Sequence, residues 1–146
     1  MLVTLSPSKG QDFEEPALSK KYSKPADLKD SELLIKDLRK IKSKQLQEMM
    51  DISENIAELN VDRYKTFKTP FTTKNGIQAI FAFKCDVYSG LELSSFDEND
   101  YANAQHHLRI LSGLYACQLP LDLIQPKLHE KKTRLKKDRG DNLYQN

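Results

Sequence analysis

Apolar positions along the chain follow two different periods. Leu2, Val3 and Leu5 form a short apolar run stopped by Ser6-Pro7-Ser8-Lys9-Gly10, which reads as a buried strand giving way to a loop. Residues 11–26 are polar, carry Pro16 and Pro25, and read as an irregular connection. From about Asp30 the period becomes helical, with Leu34, Leu38 and Ile41 on one face. Ser43 is placed to cap a short helix carrying Leu46 and Met50, and Ser53 to cap another with Ile56, Leu59 and Arg63. Pro70 breaks the pattern. Thr72 or Thr73 then opens a helix through Ile77, Ile80 and Phe81, and KCDVYSG (84–90) reads as a loop. Asp97 or a neighbour caps a longer helix that turns Tyr101, Ala104, Leu108 and Leu111 inward, and Gly113 ends it.

This inventory predicts an α+β chain, mostly helical over this span with an N-terminal β-strand, in a single domain over residues 1–146. It leaves the strand without an in-chain partner. IFAFKCDVY (80–88) is the other candidate strand, and its first half fits a helix better. A lone strand leaves its backbone groups unsatisfied, so its partner is expected beyond Asn146 or in another chain.

Composition changes the picture little. The 146 residues are 38% hydrophobic and 30% charged, the profile of a globular chain. The net charge of +2 does not by itself call for a nucleic-acid partner. The charge is uneven, however. Residues 127–146 hold seven basic and three acidic side chains, a local +4, which leaves −2 for the remainder. That basic C-terminal segment is either a solvated tail or a phosphate-attracting patch. Cys85 and Cys117 have no CxxC spacing, which fits a reducing, cytoplasmic setting. The N-terminus lacks the basic and apolar regions of a signal peptide, and the apolar run at 79–83 is too short to span a membrane.

Four stretches in order carry a resemblance: LSPSKGQDF (5–13), FAFKCDVYSGL (81–91), AQHHLRILSGLYACQLPLDLIQP (104–126) and RGDNLY (139–144). MMDISENIAELNVDRY (49–64) and PFTTKNGIQAIFAF (70–83) keep the same order between them. Together they resemble the bacterial YaaA peroxide-stress family over nearly the whole chain. The resemblance implies a cytosolic protein tied to hydrogen peroxide resistance and to keeping free iron low. It implies one α+β domain with a positively charged cleft, a helix-hairpin-helix element and double-stranded DNA as partner, bound through its backbone without sequence preference. No cofactor is implied. Family members are longer, so the likeness is to their N-terminal part, which agrees with the unpartnered strand.

Departures from the family pattern are local. The usual SPAKTLDF is SPSKGQDF here, which keeps Ser6, Pro7, Lys9, Asp12 and Phe13. Cys85 and Ala116 stand where glycine is usual, and Leu119 where arginine is usual. A glycine that needs positive φ is poorly replaced, and a lost arginine removes a forked phosphate donor.

The candidate site residues follow from this. A helix-hairpin-helix grips DNA with turn amides aimed at phosphate oxygens, here at Ser112, Gly113 and Tyr115, with Arg109 one turn back adding charge. Lys9 and Lys84 would line the cleft as further DNA contacts. Ser6, Asp86 and Tyr88 lie beside them, and Lys84, Asp86 and Tyr88 are also the residue types of an acid–base site. The competing readings are therefore a small-ligand protein or enzyme using the basic cleft, and a truncated, non-functional remnant. Each residue also has a plain structural role open to it: a helix C-cap before core leucines, a solvated lysine after a turn, an intraloop ion pair. There is no P-loop, GxSxG, HExxH or CxxC, and no catalytic nucleophile is assigned. His106, His107 and His129 have no metal-ligand spacing, and adjacent His106 and His107 diverge by about 100° on a helix, so no metal site is assigned.

Overall fold

The computed structural model describes residues 1–8, 10–26 and 28–126. Lys9 and the basic segment 127–146 therefore lie outside the described residues. The chain forms two compact units, one of Met1–Asp27 with Thr69–Pro126, the other containing Leu28–Lys68.

The second unit holds three helices, α1 (Leu28–Leu38), α2 (Ser43–Met50) and α3 (Glu54–Thr66). Ser53 caps α3 as expected, accepting a hydrogen bond from the Ile56 amide at 3.4 Å. Ser43 does not cap α2; Lys42 stands at that position, and the Gln45 side chain accepts from its amide at 3.1 Å. The inward faces are also displaced from the expected ones. In α3, Ala57, Asn60 and Tyr64 are buried while Ile56 and Leu59 are exposed, and in α1 Ile35 and Leu38 are buried. Arg39 locks the end of α3, donating to the carbonyls of Tyr64 at 2.8 Å and Phe67 at 2.6 Å.

The first unit carries the strands: β1 (Val3–Leu5), β2 (Gly10–Gln11), β3 (Ile77–Gln78), β4 (Phe83–Lys84), β5 (Leu108–Ser112), β6 (Ala116–Gln118) and β7 (Leu123–Ile124). Between them lie the short helices α4 (Ala79–Ala82) and α5 (Asp86–Ser89), and the longer α6 (Glu98–His107). The architecture is thus α+β. Four local expectations are corrected. The Thr72 helix is a turn followed by β3, α4 and β4; KCDVYSG contains α5; β1 has a partner within the chain; and the long helix stops at His107.

The last two corrections have one cause. Asp97 does cap α6, its carboxylate accepting from Asp100 while Asp100 accepts from Asp97, each at 2.9 Å. Beyond His107 the chain turns extended, and β5 pairs with β1 in parallel (Val3 with Leu108, Leu5 with Ile110) and with β6 antiparallel (Ile110 with Gln118). Two ladders of backbone hydrogen bonds override the intrinsic helical preference of Leu and Arg in Leu-Arg-Ile-Leu. Leu108 and Leu111, read as one helical face, are then on opposite faces of a sheet. Ile110 and Gln118 face the core, whereas Leu111 and Cys117 are exposed. The stretch 107–126 is therefore strand, turn and strand, and the expected helix-hairpin-helix does not form at this place. β1 is also not buried: Leu2 is 58% and Val3 42% exposed.

A core cluster of this unit packs Ile80, Phe81, Tyr101 and Leu121, with Ile77, Leu93, Phe96 and Leu108 around them. Phe81 meets Tyr101 edge to face at 5.6 Å between ring centres, and the Tyr101 hydroxyl donates to the Leu93 carbonyl at 3.1 Å. Each buried aromatic here stabilises by about 1.5–3 kcal/mol.

Candidate functional site

The loop after β1 is fastened to β4 and α5 at successive points. The buried Tyr88 hydroxyl donates to the Ser6 carbonyl at 2.7 Å. Ser8 Oγ donates to the Lys84 carbonyl at 2.6 Å, and Gly10 pairs with Lys84 in the β2–β4 ladder. A Cβ at Gly10 would meet that same carbonyl oxygen at 2.7 Å, so the approach requires glycine. Asp12 continues the clamp, its amide donating to the Ala82 carbonyl at 2.8 Å, while its carboxylate accepts from the Glu14 amide at 2.8 Å. The Lys84 side chain is left pointing to solvent, where Nζ meets Glu15 Oε2 at 3.0 Å.

Burial, and secondarily Cys85, pushes the Tyr88 phenol well above the ordinary tyrosine value, so it stays a neutral donor. Its hydroxyl is committed to a backbone carbonyl, and its ring lies 5.5 Å from that of Phe83. Asp86 opens α5 and is exposed. The structure thus brings Ser6, Lys84 and Tyr88 together and places Asp86 two residues along from Lys84.

The second expected group lies at β5 and the turn after it. Arg109 is half-buried, and Nη1 donates to the carbonyls of Gln105 at 2.8 Å and Leu108 at 2.7 Å, at the C-terminal end of α6 where a cation is favoured. Ser112 is buried, and its Oγ accepts from the amides of Leu114 at 3.3 Å and Tyr115 at 3.2 Å. Those two donors are therefore turned inward. Tyr115 is also buried; it accepts from the Gln125 amide at 3.3 Å, packs edge-on to Phe71, and is pushed above the ordinary tyrosine value by burial. Gly113 lies at the start of the turn, half-buried. Ala116 follows with φ of 56°, in the left-handed region.

Sequence reasoning missed a polar network between the irregular segment before α1 and the β6–β7 connection. Ser23 Oγ donates to the buried Asp122 carboxylate at 2.5 Å, and Gln105 Nε2 donates to Ser23 Oγ at 3.2 Å. Asp122 also accepts from the Leu119 amide at 2.9 Å, and Gln105 Oε1 from the Leu121 amide at 2.8 Å. Burial pushes the Asp122 carboxyl above the usual carboxylate range, opposed by the hydrogen bonds from Ser23 and Leu119 and by the Arg109 charge. No period or motif announces this network, because it joins residues far apart in sequence.

Among the described residues, no group of three His, Cys, Asp or Glu side chains could hold a metal ion. His106 and His107 have ring centres 6.5 Å apart, and His107 Nδ1 lies 2.9 Å from the Met1 carbonyl. No helix among the described residues is long and apolar enough to cross a membrane.

Comparison with known proteins places this geometry in a family setting. The family model described as peroxide stress protein YaaA matches residues 1–146. A "UPF0246 protein" of Cellvibrio japonicus is 46% identical over 145 residues, covering 99% of this chain and 56% of the relative. Another of Colwellia psychrerythraea is 45% identical over 145 residues with the same coverage. The chain thus spans about half the length of the curated relatives it matches.

Proposed function

The chain belongs to the family of the peroxide stress protein YaaA, and from that membership we propose that it acts in the peroxide stress response by binding the DNA backbone. The observation that carries this reading is the presentation of Lys84. A clamp made by Ser6, Ser8, Gly10 and Tyr88 holds its backbone, and its ammonium group is held by one exposed carboxylate, Glu15. Such an exposed pair contributes only about 0–1 kcal/mol, so a phosphate displaces Glu15 at little cost.

In this reading Lys9 belongs to the same loop and adds charge, Gly113 provides the contact at the turn after β5, and Arg109 adds charge at the other end of that strand, beside the C-terminus of α6. Ser112 and Tyr115 act by shaping that turn, since both are buried. Tyr88 and Ser6 position the loop, and Asp86 sets the local charge. Protection of DNA is the route by which the protein limits iron-linked damage, in the cytoplasm.

The test is binding to random duplex DNA across a salt series. The logarithm of affinity should fall linearly with the logarithm of salt, and Lys84→Ala should reduce that slope by about one. Absent or salt-independent binding by a folded sample overturns the reading.

A further inference from the structure

A separate cleft of about 530 Å³ opens between residues 20–22 and the α6 residues Gln105 and His106, with Leu121 also in its wall. The three-residue stretch that forms one side is fixed from both ends. Gln78 Nε2 donates to the carbonyls of Ser19 at 3.0 Å and Lys21 at 2.8 Å, and Ser19 Oγ donates to Glu98 at 3.2 Å. At the other end the Ser23 amide donates to the Leu121 carbonyl at 2.9 Å, and Ser23 Oγ joins the Asp122 and Gln105 network. The backbone is held while its side chains stay in solvent: Lys20 and Lys21 are exposed, and the Tyr22 ring is 48% exposed. Anchoring a segment so firmly while leaving an aromatic ring uncovered gives no packing gain at Tyr22, but it does preorganise a binding edge.

The lining has a definite chemical character. It contains no acidic side chain, and its basic groups are Lys20, Lys21 and His106. Lys21 is drawn to Glu98, 3.6 Å away, whereas Lys20 has no ion-pair partner among the described residues. Tyr22 offers apolar surface beside these groups, while Leu121, which also lines the cleft, is itself buried. The volume falls in the range of about 300–1,000 Å³ that suits a small ligand.

We propose that this cleft binds a nucleoside monophosphate, with the phosphate between Lys20 and His106 and the planar base against Tyr22. Lysine meets phosphate as a point charge, and base–aromatic stacking tolerates any base because each has a π face. This site goes beyond the DNA-backbone reading and uses none of the residues on which that reading stands.

The experiment is calorimetric titration of the full chain with adenosine 5′-monophosphate, with adenosine and inorganic phosphate as separate probes. The nucleotide should bind, and each half alone should bind at least about tenfold more weakly, since each lacks one of the two contacts. Lys20→Gln and Tyr22→Leu, both at exposed positions, should each weaken the nucleotide by about tenfold while leaving the circular dichroism spectrum unchanged. Lys84→Ala should leave nucleotide affinity unchanged even where it weakens DNA. Absence of nucleotide binding by folded protein overturns the proposal. So does nucleotide binding that either cleft substitution leaves intact, or that Lys84→Ala abolishes.

Discussion

The Tyr88 hydroxyl and the Ser6 carbonyl meet at 2.7 Å, which ties the loop after β1 to the helix after β4. Both partners are supplied by stretches that carry the family resemblance, and the bond joins them in space. Tyr88 is a structural donor that fixes where the loop runs, and Lys84 takes its position from the same contacts.

Removing that donor tests the relationship directly. Tyr88→Phe keeps the ring against Phe83 and leaves the Ser6 carbonyl without its partner. The expected loss is about 1 kcal/mol, the usual net worth of a neutral hydrogen bond. Denaturant melts should show a lower midpoint with an unchanged slope. An unchanged midpoint would mean that the loop is held by Ser8 and Gly10 alone.

Three tyrosines should also set the alkaline limit of stability. Burial raises the phenols of Tyr64, Tyr88 and Tyr115 above the ordinary value of 10.0. Their neutral forms therefore contribute stability that is fully present below the unfolded value and lost as pH rises through the folded ones. Tyrosinate absorbance should lag behind that of the denatured chain above pH 10. It should rise together with the loss of ellipticity. Ionisation of all six tyrosines before any unfolding would contradict the burial.

How much of this was legible in sequence depended on how local the determinants are. The caps at Ser53 and Asp97 were, because a cap is decided within one turn. The end of α6 was not. Leu108 and Leu111 satisfy a helical period while Leu108 and Ile110 satisfy a strand's, and the choice was made by β1, which is remote in sequence. The same cause hid the partner of β1. At the candidate site, the loop residues Ser6, Lys84 and Tyr88 were recognisable by resemblance. Burial of Ser112 and Tyr115, and the Asp122 network, depended on contacts that no spacing encodes.

Asp122 yields a prediction of opposite pH sense to the usual carboxylate. Its folded value is raised above the ordinary 3.8, first by burial. Folded protein therefore holds the proton more tightly than the unfolded chain, and the Asp122 contribution is full below pH 3.8 and declines as pH rises through the raised value. Asp122→Asn removes that titration. Stability measured across the acid range should show a flatter decline with rising pH in the variant than in the parent. Parallel curves would show that Asp122 does not titrate differently on folding.

Cys85 and Ala116 both stand where the resemblance implies glycine, and only Ala116 is strained. Cys85 has φ of −166°, extended backbone open to any residue. Ala116 has φ of 56°, where its Cβ crowds the carbonyl oxygen at a cost of about 1–2 kcal/mol. Glycine relieves that crowding, but its freer unfolded chain offsets about 0.5–1 kcal/mol. Ala116→Gly should therefore stabilise the chain by roughly 0.5–1 kcal/mol net. The melting temperature should rise by about 2–4 °C, whereas Cys85→Gly, with no strain to relieve, should lower it. The pair separates backbone strain from any general benefit of restoring the family residue. If both substitutions moved the melting temperature the same way, the left-handed geometry at Ala116 would not be what distinguishes the two sites.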